Sequence, residues 1–293
     1  MQKLFFVVNP VAGMRKAVKI LPEIISEFNR GGYDVITYIT AAQGDAKQVA
    51  CQRAGEMDLI VCCGGDGTFN ETVAGVLESG VDVPVGYIPA GSTNDFASSL
   101  GLSNDPVEAA KRIVSGTAQS YDVGDFGGRY FTYVASFGAF TKASYATPQN
   151  IKNALGHTAY ILEGIQELSQ LRSVKIRMEM ENSVIEDKVL FGAICNSTSV
   201  AGILTLDPKQ VDMQDGLFEV ILVRAPKNLA EITECIQAVQ QQKYNCKMIT
   251  FCSTKKITVE TQPPIPWTLD GEREDARQKV EVKNIHRAFR LVK

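Results

Sequence analysis

A single aspartate, Asp66, lies among three glycines in the stretch from Cys62 to Glu71. Glycine lets the backbone approach a ligand closely, and a helix that begins directly after the glycines favours an anion such as a phosphate. A carboxylate repels a phosphate unless a cation or a transferable proton lies between them. Asp66 therefore indicates chemistry on a Mg²⁺–nucleotide complex, although a tight turn in which Asp66 caps a backbone N–H explains the same residues equally well.

Two elements must hold this stretch in place. The apolar residues of Asp58–Val61 predict a buried strand, and Phe69–Glu78 carries apolar residues at helical spacing. Thr68 and Glu71 stand three residues apart, as in a capping box, so we expect the helix to begin at Thr68.

Strand, turn and helix alternate four times within about the first 118 residues. This alternation predicts a largely parallel, Rossmann-like α/β sheet, and ligands bind such sheets outside the carboxyl ends of the strands. Polar or glycine-bearing turns follow the four predicted strands, namely Asn9–Gly13, Thr40, Gly64–Thr68 and Pro89–Phe96. Each turn alone is weak evidence, but four turns at one edge of a sheet predict a binding site there.

The chain from Ser120 onward follows a different pattern, in which apolar and polar residues alternate. A hairpin is predicted at Phe126–Arg129, and further strands are predicted over 174–181, 188–195, 218–223, 256–260 and 280–283, with helices over 151–171 and 229–240. We expect an α/β domain over 1–120 and a β-rich, sandwich-like domain over 121–285, with the active site in the cleft between them. The tail, residues 286–293, is expected to return to the first domain.

Composition argues against several classes of function. A net charge of −3 and a pI of about 5.6 give no basic surface for nucleic acid. Two histidines argue against a histidine-built zinc site, and seven cysteines without a Cys-x-x-Cys pair favour a reduced, cytoplasmic setting. No apolar stretch of the sequence has the length that a bilayer-spanning helix needs.

Two later loops carry carboxylates, Asp212–Leu217 and Trp267–Glu272. Asp-Gly between apolar runs is first of all a turn, and a turn is the better explanation of either loop alone. Because the chain also carries the Asp66 stretch, the presence of both loops favours a carboxylate that reaches a bound phosphate.

The segments Ile151–Leu171 and Thr261–Trp267 are apolar, so they either pack in the core or face lipid. If they face lipid, the fluorescence of Trp267 should respond to lipid binding.

Four motifs, in this order, resemble those of the soluble diacylglycerol kinase catalytic-domain family of bacterial lipid kinases. They are Asn9–Gly13, Gly64–Glu71, Pro89–Phe96 and Leu269–Glu272. The family is related to sphingosine kinases and more distantly to NAD kinases, which share the Gly-Gly-Asp-Gly-Thr core. The resemblance covers essentially the whole chain, and the other three motifs narrow it to lipid kinases.

The resemblance implies catalytic roles for Asp66 and for Glu272, the latter as proton acceptor from the lipid hydroxyl. It implies Mg²⁺ bound by the Asp215 side chain with the backbone carbonyls of Asp212 and Leu217. ATP, the co-substrate, is expected on residues of the first domain: Asn9, Gly13, Arg15, Thr40, Gly64, Gly65, Asp66, Gly67, Thr68, Glu71, Thr93 and Asn94.

The leading hypothesis is therefore a kinase that transfers the γ-phosphate of ATP to a lipid hydroxyl, with diacylglycerol as first candidate and phosphatidic acid as product. The alternatives are an NAD kinase-like phosphotransferase and a non-catalytic regulator that binds nucleotide or lipid. Phosphatidylglycerol, a sphingoid base and a polyprenol remain open as acceptors. We expect reversible, peripheral binding to the inner face of the membrane, and an exposed strand edge in the second domain would allow a homodimer.

Overall fold

The computed structural model describes residues 1–15, 19–138, 173–181, 183–200, 204–226, 228–244 and 246–293. These residues form two compact units, and each is described by itself. Unit 1 comprises Met1–Val123 with Ile285–Lys293, and unit 2 comprises Gly124–Asn284. Across the described part of the chain, no helix combines the length and apolar character needed to cross a membrane.

Unit 1 alternates strands with helices. Its strands are β1 (Gln2–Val8), β2 (Tyr33–Ile39), β3 (Leu59–Gly64), β4 (Val85–Pro89) and the first part of β5 (Ala118–Phe126). Its helices are α1 (Leu21–Arg30), α2 (Asp45–Arg53), α3 (Asp66–Ser79), α4 (Asp95–Ser99) and α5 (Pro106–Ser115).

The first four strands of unit 1 pair in parallel, in the order β4-β3-β1-β2. Because they are parallel, their carboxyl ends meet at one edge of the sheet. The end of strand β15 (Glu272–Val292) adds to β4, also in parallel, through Leu291 and Val292. The last residue, Lys293, exchanges two backbone hydrogen bonds with Thr117.

Apolar side chains cover both faces of this sheet. On one face, Phe6 and Val61 pack with Ile24 and Phe28 of α1 and with Ile113 of α5. On the other, α2 and α3 approach so closely that a Cβ on Gly75 would lie 2.2 Å from the Lys47 carbonyl oxygen. The helix ends follow local chemistry, since Pro22 lies in the first turn of α1, while Asp105 caps α5 by accepting from the Glu108 N–H at 2.8 Å.

Unit 2 is rich in strands, as predicted. They are the end of β5, β6 (Tyr130–Phe131), β7 (Val134–Gly138), β8 (Val174–Met180), β9 (Ser183–Cys195), β10 (Ser199–Val200), β11 (Leu204–Thr205), β12 (Phe218–Arg224), β13 (Ile249–Thr254), β14 (Lys256–Leu269) and most of β15. Helix α6 (Leu229–Gln240) has the predicted bounds. The predicted helix over 151–171 lies outside the described residues.

The described strands of unit 2 pair antiparallel, and the two long strands β9 and β14 change partners along their length. Each pairs first with β8 and then, further along the chain, with β7. Beyond Glu260 the ladder of β14 with β15 shifts register, where Pro263 and Pro264 stand. Proline has no N–H to donate to a ladder, so the sequence pattern predicts only 256–260 of this 14-residue strand.

Candidate active site

Three turns of unit 1 meet at the carboxyl ends of β1, β3 and β4. The Asn9 N–H donates to the Cys63 carbonyl oxygen at 2.9 Å, and the Ala90 N–H donates to that of Gly64 at 2.7 Å. The side-chain amide of Asn9 also donates to the Thr68 hydroxyl at 2.9 Å. The turns Asn9–Gly13, Gly64–Thr68 and Pro89–Phe96, which the sequence places on one edge, therefore form one continuous surface.

Glycines at this edge are required by close backbone packing. Gly13 has a φ of +52°, and a Cβ there would lie 2.0 Å from the Ala90 carbonyl oxygen. A Cβ on Gly91 would lie 2.6 Å from the Cα of Gly65. The turns touch through backbone atoms, so a side chain at Gly13 or Gly91 would force them apart.

Asp66 begins helix α3, and its carboxylate bridges to the next turn. One oxygen accepts from the Asp95 N–H at 3.0 Å and the other from the Phe96 N–H at 3.3 Å. The side chain is half-buried. Asp66 thus does cap backbone N–H groups, at the start of α4, while its carboxylate lies at the edge where the three turns meet.

The predicted capping box is wrong. Helix α3 begins at Asp66, not Thr68, and its N-cap Gly65 makes no side-chain hydrogen bond. The Thr68 hydroxyl accepts from Asn9, and the Glu71 carboxylate accepts from the Gly44 N–H at 2.8 Å. Both side chains tie the turn to neighbouring turns, which a local sequence motif does not reveal.

The other predicted nucleotide residues lie around the same edge. Thr40 is buried, and its N–H donates to the Val8 carbonyl oxygen at 2.9 Å. Asn94 is buried with a φ of +52°, and its side-chain oxygen accepts from the Gly91 N–H at 2.9 Å. Gly67 is half-buried in α3 and Thr93 is exposed. The side chain of Arg15 lies outside what the structure describes.

The Asp-Gly-Glu turn of unit 2 is anchored by Asp270, which is 6% exposed with a φ of +47°. Its carboxylate accepts from the N–H groups of Thr132, Tyr133 and Val134 at 2.5, 2.9 and 3.0 Å. The Thr132 hydroxyl adds a fourth hydrogen bond at 2.8 Å. Burial raises the pKa of Asp270, although these hydrogen bonds favour its ionised form.

Glu272, the predicted proton acceptor, is held by Arg129. One guanidinium nitrogen of Arg129 lies 2.7 Å from Glu272 and the other 2.6 Å from Glu274, which Arg277 contacts at 2.8 Å. Partial burial alone would raise the pKa of Glu274, but hydrogen bonds from Arg277 and Arg129 lower it. Arg129, the ion-pair partner of Glu272, lies 143 positions away in the chain.

The predicted metal loop folds as two short turns. Asp212 accepts from the Gln214 N–H at 3.0 Å and Asp215 from the Leu217 N–H at 2.9 Å, while the Leu217 carbonyl oxygen accepts from the side-chain amide of Asn284 at 3.1 Å. Across the described ranges, no three acidic, histidine or cysteine side chains are grouped as a metal site.

Sequence reasoning missed Glu219, the first residue after Phe218 in strand β12. It is 2% exposed, and one of its carboxylate oxygens has no hydrogen-bond partner. Burial raises its pKa to about 8, and the charge of Asp215 contributes. A lone glutamate inside the apolar run Phe218–Val223 was the available signal.

Trp267 does not lie in a loop. It is 1% exposed within β14, and its ring packs between Phe126 and Phe137 at centroid distances of 4.9 and 4.6 Å. Of the two alternatives for Thr261–Trp267, Trp267 is core, so its fluorescence is not a direct reporter of lipid. The other apolar segment, Ile151–Leu171, lies outside the described residues.

Comparison with known proteins gives two family models that together span most of the chain. Residues 3–126 match the model of the diacylglycerol kinase catalytic domain, and residues 134–292 match the YegS C-terminal NAD kinase beta sandwich-like domain. A diacylglycerol kinase of Bacillus subtilis is 31% identical over 275 residues, which is 93% of this chain and 90% of the relative. One of Staphylococcus haemolyticus is 32% identical over 267 residues, 90% of this chain and 80% of the relative.

Solved structures show the same fold. One protein of Bacillus anthracis superposes with a TM-score of 0.83 at 23% identity, covering 99% of this chain and 95% of the other. A diacylglycerol kinase of the same organism gives a TM-score of 0.76 at 21% identity, with coverage of 99% and 96%.

Proposed function

Because the chain belongs to the diacylglycerol kinase family, we propose that it is a lipid kinase that transfers the γ-phosphate of ATP to a lipid hydroxyl. Diacylglycerol is the first candidate acceptor, since the relatives are named diacylglycerol kinases, and phosphatidic acid is then the product. We interpret unit 1 as a Rossmann-like nucleotide-binding domain and unit 2 as the lipid-substrate domain.

The observation that carries this proposal is the meeting of the three turns of unit 1. Their backbone packing leaves N–H groups and the N-terminus of α3 at the carboxyl edge of a parallel sheet. Such an edge favours phosphate groups, and Asn9, Gly65 and Asn94 stand where they would hold and orient them.

Two carboxylates have roles in the transfer. A lipid alcohol is a weak nucleophile at neutral pH, so a base must accept its proton as it attacks. Glu272 is our candidate base, and Asp66 is the candidate carboxylate at the phosphate edge. The remaining work of the protein is to position the reacting groups and to stabilise charge.

Arg129 acts on Glu272 as a positioning residue. Its planar guanidinium contacts both Glu272 and Glu274, so the orientation of the Glu272 carboxylate is fixed. The pairing of Glu274 with Arg277 holds the far side of the guanidinium.

The loop Asp212–Leu217 suits a Mg²⁺ ion, because two buried oxygens beside it have no hydrogen-bond partner, Glu219 Oε2 and Asn284 Oδ1. In the proposal the Asp215 side chain binds the ion with the backbone carbonyls of Asp212 and Leu217. Bound Mg²⁺ supplies positive charge among oxygen ligands and carboxylates.

A diacyl lipid resides in a bilayer, so the proposal includes reversible binding at a membrane surface. Sedimentation with vesicles that contain diacylglycerol measures this binding, and size-exclusion chromatography with light scattering measures whether the protein is a homodimer.

The experiment that tests the proposal is a transfer assay with ATP and Mg²⁺ across lipid classes in mixed micelles, read by mass spectrometry. We expect phosphatidic acid from diacylglycerol. Phosphatidylglycerol, a sphingoid base and a polyprenol form the comparison arms, and NAD is a further arm because the model of residues 134–292 is named after NAD kinase. Phosphorylation of NAD alone, or of no acceptor, would overturn the proposal.

A further inference from the structure

Glu219 is a charged residue in a strand that is otherwise built for burial. Residues Phe218–Leu222 of β12 are all buried, and Glu219 is the one ionisable side chain among them. Its Oε2 atom has no hydrogen-bond partner. Burying a carboxylate oxygen without a partner is unfavourable, so we expect this oxygen to have a binding partner.

The surroundings of Glu219 supply negative charge and no compensating cation. Asp215 and Asp212 of the neighbouring loop lie within electrostatic range of its carboxylate. The Ser253 side chain hydrogen-bonds the carboxylate, and Cys195 stands opposite across the β12–β9 ladder. In the described part of the chain, no lysine, arginine or histidine forms an ion pair with Glu219.

A second unpartnered oxygen lies beside the same loop. The amide nitrogen of Asn284 donates to the carbonyl oxygen of Leu217 at 3.1 Å, which fixes the side chain against the loop. The other end of that amide, Oδ1, is buried without a hydrogen-bond partner. Two acceptors without donors thus flank a loop that carries two further carboxylates, Asp212 and Asp215.

A hard cation supplies what these groups lack, because it binds oxygen atoms and offsets negative charge. Mg²⁺ binds through one or two carboxylates and keeps several waters, so it does not need a cage of three acidic side chains. A water molecule would satisfy one of these acceptors, whereas a cation would bind the ionised carboxylate and offset its charge.

We propose that Glu219 and Asn284 complete the cation site of the Asp212–Leu217 loop, with Glu219 Oε2 as a ligand and Asn284 Oδ1 binding the ion or one of its waters. This inference rests on the cation loop of the proposed function and adds two residues from outside it. The bound ion would then connect three segments of unit 2, namely the loop, the start of β12 and the segment at Asn284.

Mg²⁺ binding by the nucleotide-free protein tests the inference without any assay of activity. Isothermal titration and thermal melting, with and without a chelator, are compared for wild type, Glu219→Gln and Asn284→Ala. Glu181→Gln is the matched control, because Glu181 is an exposed glutamate of the same unit that pairs with Lys255 at 3.3 Å. We expect a rise in melting temperature with Mg²⁺ for wild type and the control, and about 10–100-fold weaker binding for Glu219→Gln.

The possible results are distinct. If Glu219→Gln and Asn284→Ala bind Mg²⁺ as wild type does, the inference is overturned while the cation loop stands. If wild type binds no Mg²⁺, the loop and the inference both fall, and the lipid transfer assay still decides the kinase activity separately. Should Glu219→Gln not fold, Glu219→Asp keeps the charge and shortens the reach, and unchanged affinity in that variant also overturns the inference.

Discussion

Asp66 in unit 1 and Asp270 in unit 2 both lie next to a glycine, and both accept hydrogen bonds from backbone N–H groups of a distant segment. They differ in burial and in the groups that they bind. Asp270 is 6% exposed and accepts three N–H groups and a hydroxyl, whereas Asp66 is half-buried and accepts the N–H groups of Asp95 and Phe96.

This difference separates an anchor from a candidate reactive group. Hydrogen bonds to a charged group contribute about 1.5–3 kcal/mol each, so Asp270 is committed to fixing the turn that presents Glu272. Asp66 is half-buried at the edge where the three turns meet, so in our proposal its charge acts on the phosphate bound there. The same dipeptide, Asp-Gly, thus serves structure in one unit and, in our proposal, chemistry in the other.

The largest effect is expected for Asp270→Ala. It leaves three buried N–H groups without their acceptor, at about 1–3 kcal/mol each, so unit 2 should melt more than about 10 °C lower or fail to fold. Asp125→Ala is the control, because Asp125 accepts from one N–H, that of Gly128 at 2.6 Å. If circular dichroism shows that Asp270→Ala melts at the wild-type temperature, the distinction between the two aspartates is wrong.

Glu272→Gln should abolish most of the transfer and leave the fold intact. A general base contributes about 10²–10⁴-fold, while glutamine still accepts a hydrogen bond from Arg129. Turnover of diacylglycerol is compared with that of Glu281→Gln, which changes a partly exposed glutamate of the same strand that pairs with Lys256 and Lys283. Equal turnover in both variants would mean that Glu272 is only a surface ion-pair partner.

Arg129→Lys should lower kcat about 10–100-fold, because lysine keeps the charge but loses the two-sided contact that orients Glu272. The KM for ATP should not change. Arg112→Lys is the control, because it makes the same substitution at another ion pair, in which Arg112 contacts Glu108 at 3.2 Å. A fall in melting temperature with unchanged kcat would make the role of Arg129 structural.

The smallest effect concerns the pH dependence of stability around Glu274. Its pKa in the folded protein is lowered, so its stabilising contribution is complete above about 4.5, the ordinary value, and is lost as pH falls through the lower folded pKa. The Arg129 and Arg277 side chains are 36% and 33% exposed, and ion pairs near the protein surface contribute up to about 1 kcal/mol. The stabilities of Glu274→Gln and wild type, measured by chemical denaturation, should therefore differ at pH 7, and the difference should shrink as pH falls below about 4.5. A difference that stays constant with pH would contradict the assignment.

Several features could be predicted from the sequence because their causes are local. Turn residues after apolar runs predicted the edge at Asn9, Asp66 and Asn94, and helical spacing predicted α6 to the residue. The motif at Glu272 was identified in the same way, although its role is still a prediction.

The missed features depend on partners that are distant in the chain. Arg129 and Glu272 are 143 positions apart in the chain, and Asn284 and Leu217 are 67 apart. The spacing of residues in the sequence indicates neither pairing. The capping box failed for the same reason, since Asn9 and Gly44 bind the side chains of Thr68 and Glu71.

The most direct test of the central claim is a paired measurement on Asp66→Asn, namely single-turnover transfer from ATP to diacylglycerol and thermal melting of the same sample. Asparagine keeps one oxygen for the N–H groups of α4 but loses the charge, so we predict at least about a 100-fold loss of transfer with melting within a few degrees of wild type. Transfer at the wild-type rate, or its loss only together with the fold, would contradict a chemical role for Asp66.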